Sequence, residues 1–145
     1  MKVSTRGRYA LRMLLDLAEH KEEGFISLKE IAERQCISKQ YLEQIVSLLN
    51  TSNILKANRG KQGGYMLAKE PSEYTVKEIL RLTEGSLAPV ACLEEEVNTC
   101  DRVDFCKTLP VWKGLDKVIT DYLESITLQD MLEQYNGYSP DNYVI

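Results

Sequence analysis

The stretch ISLKEIAERQCISKQYLEQIVSLLN, residues 26–50, carries the pattern that decides the fold. Ser27 and Glu30 have the spacing of a capping box, which predicts a short helix that runs through Arg34. After a tight turn, Ser38 can cap a second helix. The apolar residues of this second helix recur at helical spacing: Leu42, Ile45, Val46 and Leu49. The two short helices predict a helix-turn-helix, although helical bundles contain the same pattern.

A recognition helix turns its polar face toward base edges in the major groove of DNA. The candidate DNA-contacting residues at the start of the second helix are Ser38, Lys39, Gln40, Tyr41, Glu43 and Gln44. Two extended segments follow, residues 54–57 and 65–68, joined by a glycine-bearing loop, and they predict a β-hairpin. A hairpin directly after a helix-turn-helix is a wing. Its tip carries Arg59 and Lys61, which we expect to contact phosphates or a minor groove.

Three more helices are predicted outside the helix-turn-helix and the hairpin. The predicted fold is therefore mainly α with one small hairpin. Ser4 precedes an amphipathic first helix, and Thr75 with Glu78 forms a capping box before a fourth helix that Gly85 ends. A long helix begins at Pro110 and carries a wide apolar stripe. The stripe comprises Val111, Trp112, Leu115, Val118, Ile119, Tyr122, Leu123 and Ile126. A second copy is the simplest cover for it, and a homodimer suits a palindromic double-stranded DNA operator.

The last part of the chain predicts less. Thr127 and Asp130 have the spacing to start a short final helix, and the tail NGYSPDNYVI, residues 136–145, is expected to be loosely held.

Charge and length limit the possible functions. The 145 residues suit one domain, with no predicted secretion signal, membrane span or membrane partner, and a cytoplasmic location is expected. Residues 1–83 contain 14 Lys and Arg against 10 Asp and Glu, a balance of +4, whereas residues 84–145 contain 4 against 12, a balance of −8. The front of the chain is therefore the part suited to DNA phosphates.

Three of the four cysteines lie in CLEEEVNTCDRVDFC, residues 92–106. In a reducing compartment such cysteines are more often metal ligands or redox thiols than structural disulfides. The acidic neighbours are expected to raise the thiol pKa values, whereas a bound cation would stabilise the thiolates. Zinc and an iron–sulfur cluster both accept thiolates, and the wide spacing favours the cluster. A redox disulfide remains an alternative.

The motifs STRGRYALRMLLDLA, ISKQYLEQI, RGKQGGYMLAK and ITLQDML, with three cysteines before a long helix, resemble the IscR-like iron–sulfur cluster regulators of the Rrf2 family. The resemblance covers nearly the whole chain. It implies a winged-helix homodimer that binds a [2Fe–2S] cluster through Cys92, Cys100 and Cys106 and represses or activates transcription, with genes of iron–sulfur cluster biogenesis as targets. The same family includes nitric-oxide sensors and a cysteine-metabolism regulator that has no such loop.

Two departures from the family pattern leave the fourth ligand open. The gap after Cys92 is wider than in IscR-like loops, and Leu109 stands where biogenesis-type members have a histidine ligand. Arg8 stands where some sensors have a carboxylate ligand, and His20 is expected to be solvated or satisfied in the core. The remaining candidates are Cys36, expected to be a small buried residue, and Glu43, Asp101, Asp104 and residues 94–96. Glu43 as ligand would couple the sensor directly to the DNA-reading helix.

The sequence thus predicts one integrated domain with three regions. They are a winged helix-turn-helix DNA-binding region (1–83), a cysteine loop (84–109), and a dimerisation helix with the C-terminal tail (110–145). No nucleotide fingerprint or catalytic constellation is present, so an enzyme is not expected. The alternatives are a nitric-oxide or redox-sensing regulator of the same family and a metal-free thiol-switch regulator of cysteine metabolism on the same frame.

Overall fold

The computed structural model of the chain describes residues 2–136. Six α-helices and one hairpin follow in the predicted order, and the fold class is confirmed. Their bounds are α1 Thr5–Glu19, α2 Leu28–Gln35, α3 Lys39–Asn50, β1 Leu55–Asn58, β2 Gly64–Leu67, α4 Val76–Glu84, α5 Leu109–Glu124 and α6 Leu128–Asn136. Of the predicted loose tail, residues 137–145 lie outside the described part of the chain. Among the described helices, none is long and apolar enough to cross a membrane.

Local side-chain caps fix the helix starts where the sequence places them. Ser4, Ser27 and Ser38 each accept a hydrogen bond from a backbone N–H in the first turn of α1, α2 and α3. At α2 the box is reciprocal, since Glu30 also accepts from the N–H of Ser27. Thr127 and Asp130 form the same reciprocal pair before α6. Each cap satisfies donors that a helix N-terminus otherwise leaves unpaired.

The expected capping box before α4 forms only in half. The N–H of Glu78 donates to Thr75 Oγ1 at 3.1 Å. The Glu78 carboxylate instead lies 3.9 Å from Lys69 Nζ, so it faces the strand side of the fold. Gly85 ends α4 as predicted, with a φ of +80° that favours glycine.

One core joins the helices to the hairpin. α1 packs against α2, α3, α4, α6 and β2, and its side chains Met13, Leu14 and Leu17 are almost completely buried. Gly7 allows a close approach to α4, because a Cβ there would lie 3.1 Å from Leu80 Cδ2 and closer still to Glu84. Leu128 of α6 is also fully buried. The final helix therefore belongs to the same core as the helix-turn-helix.

The wing is a two-stranded antiparallel sheet with Leu55 opposite Leu67 and Asn58 opposite Gly64. Ile26 exchanges two backbone hydrogen bonds with Tyr65, at 2.9 and 2.8 Å, and so forms an isolated antiparallel bridge beside the hairpin. Gly64 lies directly against this bridge, where a Cβ would collide with the backbone of Ile26. The wing is thereby tied to the segment that leads into α2.

Candidate nucleic-acid interface and cysteine loop

The first turn of α3 presents the predicted polar face. Ser38 accepts from the N–H of Tyr41 at 3.2 Å, which fixes the start of the helix. Lys39, Gln40, Glu43 and Gln44 are exposed around this turn. This is the orientation that a recognition helix requires.

Tyr41 differs from the expectation of a freely exposed contact residue. It is half-buried, and its ring meets Tyr9 of α1 edge to face, with centroids 5.5 Å apart and planes at 73°. The guanidinium carbon of Arg12 lies over the Tyr9 ring, 5.1 Å from the ring centroid. Tyr41 therefore joins the first helix to the recognition helix.

A buried carboxylate fixes the helix-turn-helix on α1, a feature that the sequence pattern did not reveal. Asp16 is 1% exposed and accepts hydrogen bonds from Arg34 Nη2 at 2.7 Å and Nε at 3.0 Å. Gln35 Nε2 donates to the same carboxylate at 3.0 Å. This hydrogen bonding holds the pKa of Arg34 above its usual value. Arg12 also donates to Gln35, so the end of α2 is held from two sides.

Cys36 was expected to be buried, and this is wrong. It ends α2 in the left-handed region, with φ 55°, and it is exposed. A left-handed residue is needed at this turn, which is why glycine would be favoured there. Cys36 is therefore a turn residue, and its Sγ lies 3.9 Å from the carbonyl oxygen of Glu33.

The wing tip and its base are held differently. Arg59 and Lys61 are exposed and form no ion pair with any side chain between residues 2 and 136. At the base, Tyr74 is fully buried, donates to the carbonyl of Ile54 at 2.7 Å and accepts from the N–H of Lys69 at 2.9 Å. Burial raises the pKa of Tyr74. The cationic tip is thus free to bind while its support is fixed.

The cysteine loop is anchored at both ends. Where it begins, Glu84 accepts from the N–H of Ser4 at 3.2 Å and from its hydroxyl at 2.6 Å. Where it ends, Leu109 is 7% exposed and packs in the interior as the first residue of α5. Between these anchors the loop contains only short turns, Ala91–Leu93 and Val103–Phe105, among its described residues.

The three loop cysteines are free thiols, with Cys100 exposed and Cys92 and Cys106 half-buried. Within residues 2–136, no three His, Cys, Asp or Glu side chains are grouped closely enough to hold a metal ion. The donor set itself fits soft-metal chemistry, since three thiolates on one loop suit an iron–sulfur cluster or zinc. The loop would have to close around such a group to ligate it.

Cys106 has an environment opposite to the one expected from its acidic neighbours. Its Sγ lies 3.4 Å from Thr108 Oγ1. The hydrogen bond from Thr108, with help from backbone N–H groups at the start of α5, lowers the pKa of the Cys106 thiol. The prediction of a raised thiol pKa is therefore wrong at this cysteine, because hydrogen-bond donors lie directly at its Sγ and stabilise the thiolate.

The candidate fourth ligands are all accessible, and none is grouped with the loop cysteines. Exposed carboxylates are found at Glu43, Glu94, Glu95, Glu96, Asp101 and Asp104. His20 is half-buried, and its Nδ1 lies 2.8 Å from the carbonyl of Asp16, so the expectation that it is satisfied locally is confirmed.

The apolar stripe of α5 divides into two parts. Trp112, Ile119, Leu123 and Ile126 are half-buried within the chain itself. The outward part consists of Val111, Leu115, Val118 and Tyr122, which are 61, 42, 66 and 63% exposed. These four recur at helical spacing and form one apolar face, which we call the outer stripe.

Comparisons with known proteins agree with this architecture. A family model described as Rrf2, an iron-dependent transcriptional regulator, matches residues 3–134. The HTH-type transcriptional regulator CymR of Bacillus subtilis is 37% identical over 137 residues, 94% of each chain. The HTH-type transcriptional regulator IscR of Photorhabdus laumondii is 38% identical over 132 residues, which cover 91% of this chain and 79% of the relative.

Two solved structures show the same fold. The structure of T. potens IscR is 39% identical and superposes with a TM-score of 0.74, covering 100% of this chain and 93% of that one. The structure of CymR, the global cysteine regulator of B. subtilis, is 35% identical with a TM-score of 0.76, covering 92% and 98%. The chain is about equally similar to both regulators.

Proposed function

The chain belongs to the Rrf2 family of transcriptional regulators, and from this premise we propose that it binds operator DNA as a homodimer under the control of a [2Fe–2S] cluster. The observation that carries the proposal is the combination of an exposed recognition helix and wing with a loop that holds three free thiols. The resemblance to IscR-like regulators extends the proposal to genes of iron–sulfur cluster biogenesis.

Cys92, Cys100 and Cys106 would hold the cluster. When bound, the group would supply positive charge that stabilises thiolates among carboxylates, and a redox state that can change. The fourth ligand is taken from Glu43, on the recognition helix, or from the local acids Asp101 and Asp104. If Glu43 were the ligand, cluster binding would withdraw a DNA-facing carboxylate of α3 toward the cysteine loop. If a local acid were the ligand, α3 would have no direct bond to the cluster.

The anchors of the cysteine loop offer a structural connection between the loop and the recognition helix α3. Closing the loop would pull on Glu84, which holds Ser4 at the start of α1. α1 in turn carries Tyr9, which packs on Tyr41 of the recognition helix. Cluster binding would therefore bias the position of α3 relative to the wing.

The outer stripe supports the homodimer. Four large apolar side chains on one helical face are costly to leave in water, at roughly 1.5–3 kcal/mol for each one that a partner covers fully. A two-fold pair of α5 helices would present two recognition helices to a palindromic operator.

A metal-free thiol switch is the second candidate. It is favoured by the separation of the three thiols in the described part of the chain and by the equal similarity to CymR. In a metal-free thiol switch, DNA affinity would change because loop thiols are oxidised. In the cluster-controlled regulator, it would change because the cluster is lost.

The visible absorption of anaerobically purified protein separates the two candidates. We expect a cluster spectrum that Ala at Cys92, Cys100 or Cys106 abolishes while the dimer stays folded. Cys36→Ala tests the one remaining thiol, which is exposed at the turn after α2, and it should leave the spectrum unchanged if the fourth ligand is a carboxylate. Colourless protein after anaerobic cluster reconstitution would favour the thiol switch. The same absorption spectrum identifies the fourth ligand. Glu43→Ala should destabilise the cluster if the recognition helix supplies the ligand, whereas Asp101→Ala or Asp104→Ala should do so if the ligand is a local acid.

A further inference from the structure

The wing forms one wall of a groove whose charged residues are all cationic. This groove, about 370 Å³ in volume, lies between the wing and the ends of α2 and α3. Lys29 of α2, Lys39 of α3 and Arg59 of the wing line it, and no Asp or Glu does. All three cations are exposed and form no ion pair within residues 2–136. We call it the cationic groove.

A second groove at the wing has the opposite character. Its volume is about 530 Å³, and it lies between the wing tip and the segment that leads into α2. Lys61 lines it together with two acids, Glu23 and Glu30. The Glu30 carboxylate is held there by the N–H and hydroxyl of Ser27, at 3.2 and 3.3 Å. We call it the mixed groove.

The glycines of the wing tip fix this division. Gly60 has a φ of +118°, and a Cβ at Gly63 would lie 2.6 Å from the carbonyl oxygen of Asn58. Other residues would therefore strain the turn. Because the tip is held tightly, Arg59 and Lys61 line different grooves although only one residue separates them.

We propose that the cationic groove is a seat for one DNA backbone phosphate, with Lys29 as a contact residue beside Lys39 and Arg59, and that Lys61 takes no major part in DNA binding. This inference rests on the proposed DNA-binding function. Three cations without a nearby acid attract a phosphodiester, whereas in the mixed groove two carboxylates oppose it and offset Lys61. The amide side chains of Asn50 and Asn58, which also line the cationic groove, add neutral donors for phosphate oxygens.

Salt-dependent DNA binding tests the assignment. The probes are a duplex selected by the wild-type protein from a random pool and an unrelated duplex of equal length. Lys29→Ala should weaken binding to both duplexes by the same factor. It should also make the slope of log affinity against log salt shallower by roughly 1.8, twice the 0.9 of one lost phosphate contact, because each of the two subunits of the dimer loses one contact. Lys61→Ala should match Lys113→Ala, a control that removes one exposed positive charge from α5.

Each outcome decides something. A Lys29→Ala slope equal to that of the Lys113→Ala control, or a Lys61→Ala effect as large as that of Lys29→Ala, overturns the groove assignment. Wild-type protein that enriches no duplex from the random pool and does not bind the unrelated duplex overturns the proposed function itself. A Lys29→Ala effect confined to the selected duplex would mean base reading, and it would also reject the phosphate seat.

Discussion

The winged-helix part and the cysteine loop are built on opposite principles. In the winged part no buried side-chain N or O atom of the described residues lacks a hydrogen-bond partner: Asp16 is held by Arg34, Tyr74 bridges two backbone groups, and the helix starts are capped. The loop has two turns of three residues each among its described residues, exposed carboxylates and free thiols. The DNA-binding part is therefore formed in advance, whereas the proposed sensor loop requires a ligand or a covalent change to bring its thiols together.

The largest expected effect lies in the winged part. Asp16→Asn should destabilise the protein by about 3 kcal/mol, the lower end for a broken buried pair, because Arg34 is 33% exposed and can partly reach water. Urea unfolding at fixed protein concentration measures this. Asp121→Asn, which breaks an exposed pair with Lys117, is the control and should cost at most about 0.5 kcal/mol. Equal losses for the two variants would contradict a preformed reader.

The second effect concerns assembly. Val118→Glu should weaken the dimer by roughly 2–3 kcal/mol, because Val118 is small and only 66% exposed in the single chain, so that a partner adds about 1–1.5 kcal/mol of burial in each of the two copies. Sedimentation velocity should show monomers, with circular dichroism like that of the wild type. Lys113→Gln is the control for charge, because it lowers the charge of α5 by one unit, as Val118→Glu does. A Val118→Glu protein that sediments as an unchanged dimer would place the interface elsewhere.

The sequence alone predicts the apolar stripe of α5, but it does not predict the hydrogen bonds of Asp16. The caps at Ser27, Ser38 and Thr127 and the stripe of α5 depend on residues three or four apart, so spacing alone predicts them. The Asp16 clamp joins positions 18 and 19 residues apart, and no periodicity marks such a pair. The tertiary partner selects the residue in that case.

The sequence predicted the site unevenly for the same reason. Residue type was sufficient to nominate Lys39, Arg59 and the loop cysteines. It could not show that Arg59 and Lys61 line different grooves, because this depends on the glycine geometry of the tip. It misplaced Cys36, since small residue type suggested burial whereas the left-handed turn conformation decides its position.

A smaller effect is expected at the base of the wing. Tyr74→Phe should cost about 1–2 kcal/mol, because the carbonyl of Ile54 and the N–H of Lys69 lose their partner. Hydrogen exchange should quicken at Lys69. An unchanged exchange rate and unfolding midpoint would show that the hydroxyl does not support the wing.

Tyr74 also gives the winged part a pH dependence of known sign. Burial raises its pKa in the folded state above the ordinary value of 10.0. The folded state therefore retains the phenol proton that the unfolded chain loses, and this stability is complete below pH 10 and lost as the pH rises toward the raised pKa. The alkaline decline in stability should be weaker in Tyr74→Phe.

The smallest effect lies in the loop. In metal-free protein, alkylation of Cys106 should reach half its maximal rate at a lower pH than that of a free cysteine, because Thr108 stabilises the thiolate. Thr108→Val should move this midpoint upward, while the unfolding midpoint stays within error of the wild type. Peptide mass spectrometry after timed alkylation resolves the site. A midpoint unaffected by Thr108→Val would assign the lowered pKa to the start of α5 instead.

We propose that a [2Fe–2S] cluster controls DNA binding by a winged helix that is already formed. Titration of the selected operator with holo protein and with anaerobically prepared apo protein, at one fixed salt concentration, measures this control. We expect the two forms to differ in affinity and a Cys92→Ala dimer to bind as the apo form does. Equal affinities of holo, apo and Cys92→Ala protein across all selected operators would contradict cluster control.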